Sequence, residues 1–180
     1  MARIVLAQAD VQRALTRIAH EILESNRGSD DLLLLGIPTR GTVLAKRIAA
    51  VIQRIEPSAP AELAGSLDVT MYRDDLSRSG IRMPSPTEIP ATIDGKTVVL
   101  VDDVLYSGRT IRSAFDALSD LGRARAVRLA VLVDRGHREF PIRADFVGKN
   151  LPSAASERIN VRLVETDDVE DHVSIEGSPE

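Results

Sequence analysis

Cysteine is absent from the 180 residues, and that absence removes disulfides, thiol catalysis and thiolate-bound metals together. Tryptophan is missing too. Two tyrosines and three phenylalanines form the whole aromatic complement, which leaves little capacity for stacking bases on aromatic platforms. The three histidines, His20, His137 and His172, lie too far apart in sequence to form a local metal motif. No apolar run exceeds strand length, and no basic segment leads into a long apolar stretch after Met1, so the expectation is a cytoplasmic protein with no membrane partner.

What is present describes an ordinary globular chain. Charged residues make up 28% and apolar residues 43%, and the length suits one domain with a real core. The net charge of −4 hides a polarity. Between Arg123 and Lys149 seven basic residues face three acidic ones, whereas between Ser156 and Glu180 two face eight. A locally basic face on an acidic protein can still bind phosphates.

Periodicity predicts alternating helices and strands. Asp10 is the expected N-cap of a helix whose apolar positions are Val11, Ala14, Leu15, Ile18, Ala19, Ile22 and Leu23, with Gly28 as its stop. Leu32 to Leu35 reads as a buried strand, Gly36 to Gly41 as a tight loop, and Thr42 as the cap of a second helix reaching about Ile55. Leu63 to Tyr72 is predicted as a strand with Leu67, Val69 and Met71 on one face. The polar, proline-bearing stretch from Arg73 to Gly95 is long for a connection inside a compact domain, and such loops are often lids. Further strands are expected at Ala126 to Val133, near Asp145 to Val147, at Ile159 to Val164 and at Val173 to Ile175. The alternation implies an α/β fold with a mainly parallel central sheet and flanking helices.

The most telling segment is Val98, Val99, Leu100, Val101, Asp102, Asp103, Val104, Leu105, Tyr106, Ser107, Gly108, Arg109 and Thr110. A strand buried on both faces ends in two carboxylates, at the end of the sheet where open α/β folds place their ligands. The turn that follows gathers backbone N–H groups and hydroxyls at a helix start, which is a phosphate cradle. Carboxylates beside an anion cradle fit a ribose phosphate. A Walker B reading lacks its Gly-x-x-x-x-Gly-Lys-Ser/Thr partner, and a phosphotransfer aspartate leaves the second loop at Thr39, Arg40 and Gly41 unexplained.

These thirteen residues resemble the phosphoribosyl-pyrophosphate (PRPP) signature of type I phosphoribosyltransferases. The stretches Thr16 to Glu21, Tyr72 to Leu76, Leu100 to Tyr106, Ala130 to Glu139, Pro141 to Asp145 and Gly148 to Asn150 are similar to the PyrR family of pyrimidine operon regulators, which are also uracil phosphoribosyltransferases. The resemblance implies one domain over residues 1–180, with a flexible catalytic loop at about 73–95 and a small hood at about 134–160. It implies Asp102, Asp103 and Arg73 as catalytic residues, Val98 to Thr110 as the PRPP site, and Thr39, Arg40 and Gly41 as the pyrophosphate loop. Asp134 and Arg135 would read uracil, and Mg²⁺ would arrive with PRPP and water near Asp102 and Asp103.

Regulation is the second implied activity. A uridine nucleotide, UMP or UTP, would promote binding to a leader segment of pyrimidine-operon mRNA through Thr16, Arg17, His20, His137, Arg138, Arg143 and Lys149. The family also implies a homodimer or a larger homo-oligomer. The chain departs from the family pattern at Pro38, where Lys is common, at Ser25, where Arg is common, and at 152–156. A uracil salvage enzyme without RNA regulation remains the competing reading, with a regulator that merely senses UMP as a third.

Overall fold

The continuous aliphatic runs become intelligible once strand alternation splits them between two faces. The computed structural model describes residues 1–74 and 83–177. Five parallel strands, β2 (Leu32–Gly36), β3 (Ala64–Ser66), β4 (Thr97–Leu105), β5 (Ala126–Asp134) and β6 (Phe146–Asn150), lie in the order β3-β2-β4-β5-β6. Leu33, Leu35, Val98, Leu100, Leu129 and Val131 enter the core shared with helix α3 (Arg109–Leu121). Their neighbours Leu32, Leu34, Val99, Val101, Ala130 and Leu132 enter the opposite core, under α1 (Gln8–Asn26) and α2 (Arg40–Ile55). Both faces of the sheet are therefore covered, as an all-parallel sheet requires.

The seven apolar positions expected to face inward from α1 are all buried, but the helix begins earlier than Asp10. Ala7 precedes its first residue, and Asp10 reaches back from the third helical position to accept the Ala7 N–H at 2.9 Å. An acid satisfies a free N–H from there as well as from the cap itself. The second helix likewise starts at Arg40 rather than after Thr42. Caps are worth about 1 kcal/mol, whereas each buried large aliphatic side chain contributes about 1.5–3 kcal/mol. Burial thus fixes the helix faces, and the ends settle locally.

Two expectations need correction. The predicted strand from Leu63 to Tyr72 shrinks to Ala64–Ser66, followed by a 3₁₀ turn at Thr70–Tyr72. Leu67 and Val69 are buried, but Met71 is 71% exposed, so the alternation does not continue. The region about 134–160, expected as the hood, instead supplies β6 to the main sheet. A separate antiparallel sheet, in the order β1-β8-β7, comes from β1 (Ala2–Leu6), β7 (Arg158–Arg162) and β8 (His172–Glu176). Strand β1 was not expected from the sequence. Of the long connection, residues 75–82 lie outside the described residues.

The small sheet shares the core under α1 and α2 through Val161, Leu163 and Val173. A polar clamp reinforces it. Arg47 of α2 donates to Glu165, in the short helix α4 (Val164–Asp167), at 2.9 Å and to Asp171 at 3.0 Å. Asp171 is only 6% exposed, and the Arg47 guanidinium holds its carboxyl below the ordinary range.

Candidate active site

The strand order places a crevice before any side chain is considered. From β2 the chain moves outward to β3, whereas from β4 it moves the other way to β5 and β6. The sheet therefore reverses direction between β2 and β4, and ligands of open α/β sheets bind outside the carboxyl ends of such strands. Those ends carry the Gly36–Gly41 loop and the Asp102–Asp103 pair.

The loop after β2 is folded so tightly that side chains are excluded. A Cβ on Gly36 would stand 2.3 Å from the Gly41 carbonyl oxygen, and one on Gly41 would stand 2.4 Å from that of Val101. The Ile37 N–H donates to the same Val101 oxygen at 2.9 Å, and the Pro38–Thr39 peptide is cis. Arg40 opens α2 and forms a two-pronged bond to Asp167 of α4, at 3.1 and 2.6 Å. That bond raises the guanidinium pKa and depresses that of the carboxyl.

Asp102 and Asp103 each accept the N–H of the following residue, at 2.9 and 2.8 Å. Their carboxylates are thereby fixed at the mouth of β4. Burial, with the Asp103 charge beside it, pushes the Asp102 carboxyl well above the usual carboxylate range. The cleft they line, about 310 Å³, is also walled by Ile37, Thr39, Arg40, Arg73 and Thr110. Arg73 donates to the Thr110 hydroxyl at 3.4 Å. Asp68 and Thr70 join the wall, with Asp68 accepting from the Thr70 hydroxyl at 2.7 Å. Sequence reading missed both, because they lie where the strand was expected to continue; the Asp-x-Thr pattern of a local turn was the available signal.

The cradle after β4 follows from one left-handed glycine. Gly108 has φ +90° and precedes α3. The Tyr106 carbonyl accepts from Arg138 at 2.9 Å, and the Ser107 carbonyl accepts from the N–H groups of Glu139 and Phe140 at 2.9 and 3.0 Å. With these carbonyls tied to the 138–140 segment, the first turn of α3 retains N–H groups that lack helical acceptors. Arg109 points away from the cradle. It pairs with Asp74 at 2.7 Å and with Glu139, and lies over Phe140.

The residues expected to read a base are engaged within the protein. Asp134 accepts from the Gly136 N–H at 3.0 Å and from Arg138 at 2.6 Å. Arg135 is buried, lies 4.3 Å over the Tyr106 ring and donates to Ser153 Oγ and the Ala154 carbonyl at 3.0 and 2.9 Å.

The expected RNA contacts separate into groups. Thr16, Arg17 and His20 share a groove of about 970 Å³ with Gly148, and Arg17 clasps the carbonyls of Val147 and Gly148 at 3.1 and 2.5 Å. Lys149 is exposed on the same strand, and Arg143 is exposed in the loop before it. Arg138 is instead turned inward to Asp134 and Tyr106, and His137 meets the Ser153 carbonyl. Among the described residues no cluster of three or more His, Asp or Glu is placed to hold a metal, and no helix is long and apolar enough to cross a membrane.

A family model described as a phosphoribosyl transferase domain matches residues 2–165. Two solved structures share the fold: a hypoxanthine-guanine phosphoribosyltransferase of Bacillus anthracis, at 16% identity and TM-score 0.70 over 96% of each chain, and a hypoxanthine phosphoribosyl transferase of Trypanosoma cruzi, at 17% and 0.71 over 96% of this chain and 90% of that one. Fold and cleft thus define a type I phosphoribosyltransferase-fold protein. At finer resolution, the chain is 73% identical over 177 residues to the bifunctional protein PyrR of Leifsonia xyli, covering 97% of this chain and 96% of that one. Its identity to the bifunctional protein PyrR of Streptomyces coelicolor is 61% over 168 residues, 92% and 86% of the two chains. The chain belongs to the PyrR family.

Proposed function

We propose that this protein converts uracil and PRPP to UMP and pyrophosphate, and that in its uridine-nucleotide-bound form it binds the leader mRNA of pyrimidine-biosynthesis genes. The observation that carries the enzymatic half is the acidic pair at the sheet's switch point, flanked on one side by the Gly36–Gly41 loop and on the other by the Ser107–Thr110 cradle. A ribose bearing a 5′-phosphate and a 1-diphosphate has complementary groups in that order.

In the reaction, N1 of uracil forms a bond to C1 of the ribose as the bond from C1 to the diphosphate oxygen breaks, and the N1 proton passes to the departing pyrophosphate or to water. Positive charge builds on the ribose, and the Asp102–Asp103 pair accepts hydrogen bonds from its hydroxyls and stabilises that charge. The first turn of α3 holds the 5′-phosphate with N–H groups and the hydroxyls of Ser107 and Thr110. Thr39, Arg40 and the N–H groups of the loop receive the leaving pyrophosphate. Arg73 stands beside Thr110 and joins the two anion sites. With its side chains occupied internally, the turn at Asp134 and Arg135 offers backbone groups to the uracil edge. Mg²⁺ carried in with the diphosphate would be held near Asp102 and Asp103, with water completing its coordination, and would neutralise charge on the leaving group.

The regulatory half rests on the groove between α1 and the end of α2, which reaches Gly148 of β6. Asn150 at the end of β6 pairs with Asp134 at the end of β5, so the nucleotide pocket and the Arg17-bearing seam share a strand pair. A pyrimidine regulator with this fold would act in the cytoplasm as a homodimer or larger assembly.

The test is UMP formation from uracil and PRPP, run beside a titration of leader RNA with and without UMP across a salt series. Turnover, together with UMP-dependent and salt-sensitive binding, supports both halves. Turnover without RNA binding would leave a salvage enzyme, and absence of turnover would overturn the catalytic reading.

A further inference from the structure

At the opposite end of the sheet from the cleft lies a second concavity that the reaction does not use. It has a volume of about 220 Å³ and is entered between the end of α1 and the first residues of β2, β4 and β5; its walls include Ser25, Arg27, Arg125 and Arg128. Arg125 reaches the Thr97 hydroxyl at 3.2 Å and stands 4.0 Å from Asp31. Arg27 and Arg128, both exposed, have no carboxylate partner among the described residues. Arginines ordinarily find carboxylates on a surface of net negative charge. Here three line a small concavity, and only Arg125 has an acid, Asp31, within 4.0 Å, an arrangement suited to a phosphate.

Its position narrows the source of that phosphate. Phe146 of β6 lines this pocket, and Gly148 of the same strand lines the groove that holds Thr16, Arg17 and His20. Helix α1 thus runs past both concavities in turn, and β6 supplies one wall residue to each. From Arg17 to Arg27 the helix advances about 15 Å at its usual rise, a span of several nucleotides. By contrast, Thr97 at the pocket and Asp102 at the cleft are five residues apart along β4, roughly 16 Å at the usual strand rise. A substrate in the cleft does not extend that far, whereas a polynucleotide lying along the seam does.

We infer that Arg27, Arg125 and Arg128 form a phosphate anchor that extends the RNA-binding surface to the amino end of the sheet. The inference rests on the RNA-binding reading above and adds residues to it. Each arginine that contacts a phosphate releases counterions from the RNA, so its loss both weakens binding and flattens the salt dependence.

The experiment compares wild type, R128Q, R128K and R27Q for leader RNA binding in saturating UMP at several salt concentrations, with UMP synthesis measured on the same samples. For R128Q and R27Q the expected result is a three- to ten-fold weaker Kd and a log–log salt slope smaller by roughly 0.7–0.9. R128K recovers much of the loss, and UMP synthesis is unchanged throughout, which also certifies the fold. If wild type binds RNA and both glutamine variants bind it with the same Kd and slope, the anchor is overturned while the RNA-binding reading stands. If wild type binds no leader RNA, both fall. A pocket that serves a free nucleotide instead would appear as weaker UMP binding by R128Q without RNA, and that result also overturns the anchor.

Discussion

The arginines at the two ends of the sheet differ in how closely acids hold them. At the carboxyl end Arg40 is held by Asp167, Arg138 by Asp134, and Arg109 by Asp74 and Glu139. Along the α1–β6 seam and at the amino end, Arg27 and Arg128 have no carboxylate partner among the described residues, Arg125 stands 4.0 Å from Asp31, and Arg17 divides its donors between Glu21 at 3.4 Å and two backbone carbonyls. The difference teaches what each region is built to meet. A small, rigid, highly charged substrate calls for cations whose positions are fixed in advance, and carboxylates supply that fixing at the expense of local positive potential. A long flexible polyanion is met better by open charge, because its affinity comes from many separate counterion-releasing contacts.

The comparison breaks most visibly at Asp102. Asp102→Asn should lower UMP synthesis by roughly 10²–10³-fold, the scale of losing one preorganised electrostatic group, with leader RNA binding kept. Because burial and the Asp103 charge raise the Asp102 carboxyl in the folded protein, its ionisation opposes folding once the pH exceeds the ordinary aspartate value of about 3.9. The same variant should therefore unfold at a higher temperature at neutral pH. A dead enzyme with an unchanged or lower melting point would refute the electrostatic account of this site.

Next in size is the clamp on the small sheet. Arg47→Ala strands Asp171, which is 6% exposed, and should cost about 2–3 kcal/mol in urea unfolding, somewhat below the cost of breaking a fully buried pair because the arginine retains some solvent. Arg17→Ala sharpens the other half of the contrast. RNA affinity should fall about ten-fold, equivalent to about 1.4 kcal/mol, with transferase activity intact, as RNA titration and product assay together would reveal.

The smallest effect belongs to Asp167. Asp167→Asn leaves Arg40 in place but less firmly held, so the KM for PRPP should rise a few-fold with kcat nearly constant. The carboxyls of Asp167 and Asp171 are depressed in the folded state by Arg40 and Arg47 respectively. Their stabilisation is thus present above the ordinary carboxylate pKa of about 3.9 and is lost as the pH falls below it toward the depressed values. Acid titration of wild type against Asp167→Asn should show the variant losing less stability over that interval.

Much of the fold could be read because it follows from local rules. The seven buried positions of α1 repeat every three to four residues, and the runs at Leu32 and Val98 admit no reading but strands buried on both faces. The acidic pair and the glycine-hydroxyl turn were equally visible, since their order along the chain is their order around the cleft. Strand β1 escaped notice because its pattern, largely exposed from Ala2 to Ile4, gains meaning only when β8 lies beside it. The overextended strand at Leu63 to Tyr72 differs for a related reason: Leu67 still donates its N–H to the Gly36 carbonyl at 3.0 Å, but the chain then turns at Thr70–Tyr72, and Val69 is buried without a strand partner beside it.

The sequence by itself determined the layers of this protein and the chemical groups at the ends of its strands, because side-chain period and backbone preference act within a few residues. Which arginines are open to a ligand and which are held by acids was decided only by the tertiary structure. Arg40 meets Asp167 across 127 residues, and Arg138, so basic in the sequence, turns to Asp134 and the Tyr106 carbonyl. Charge is a property of the residue, but availability depends on what the fold brings within hydrogen-bonding distance of it.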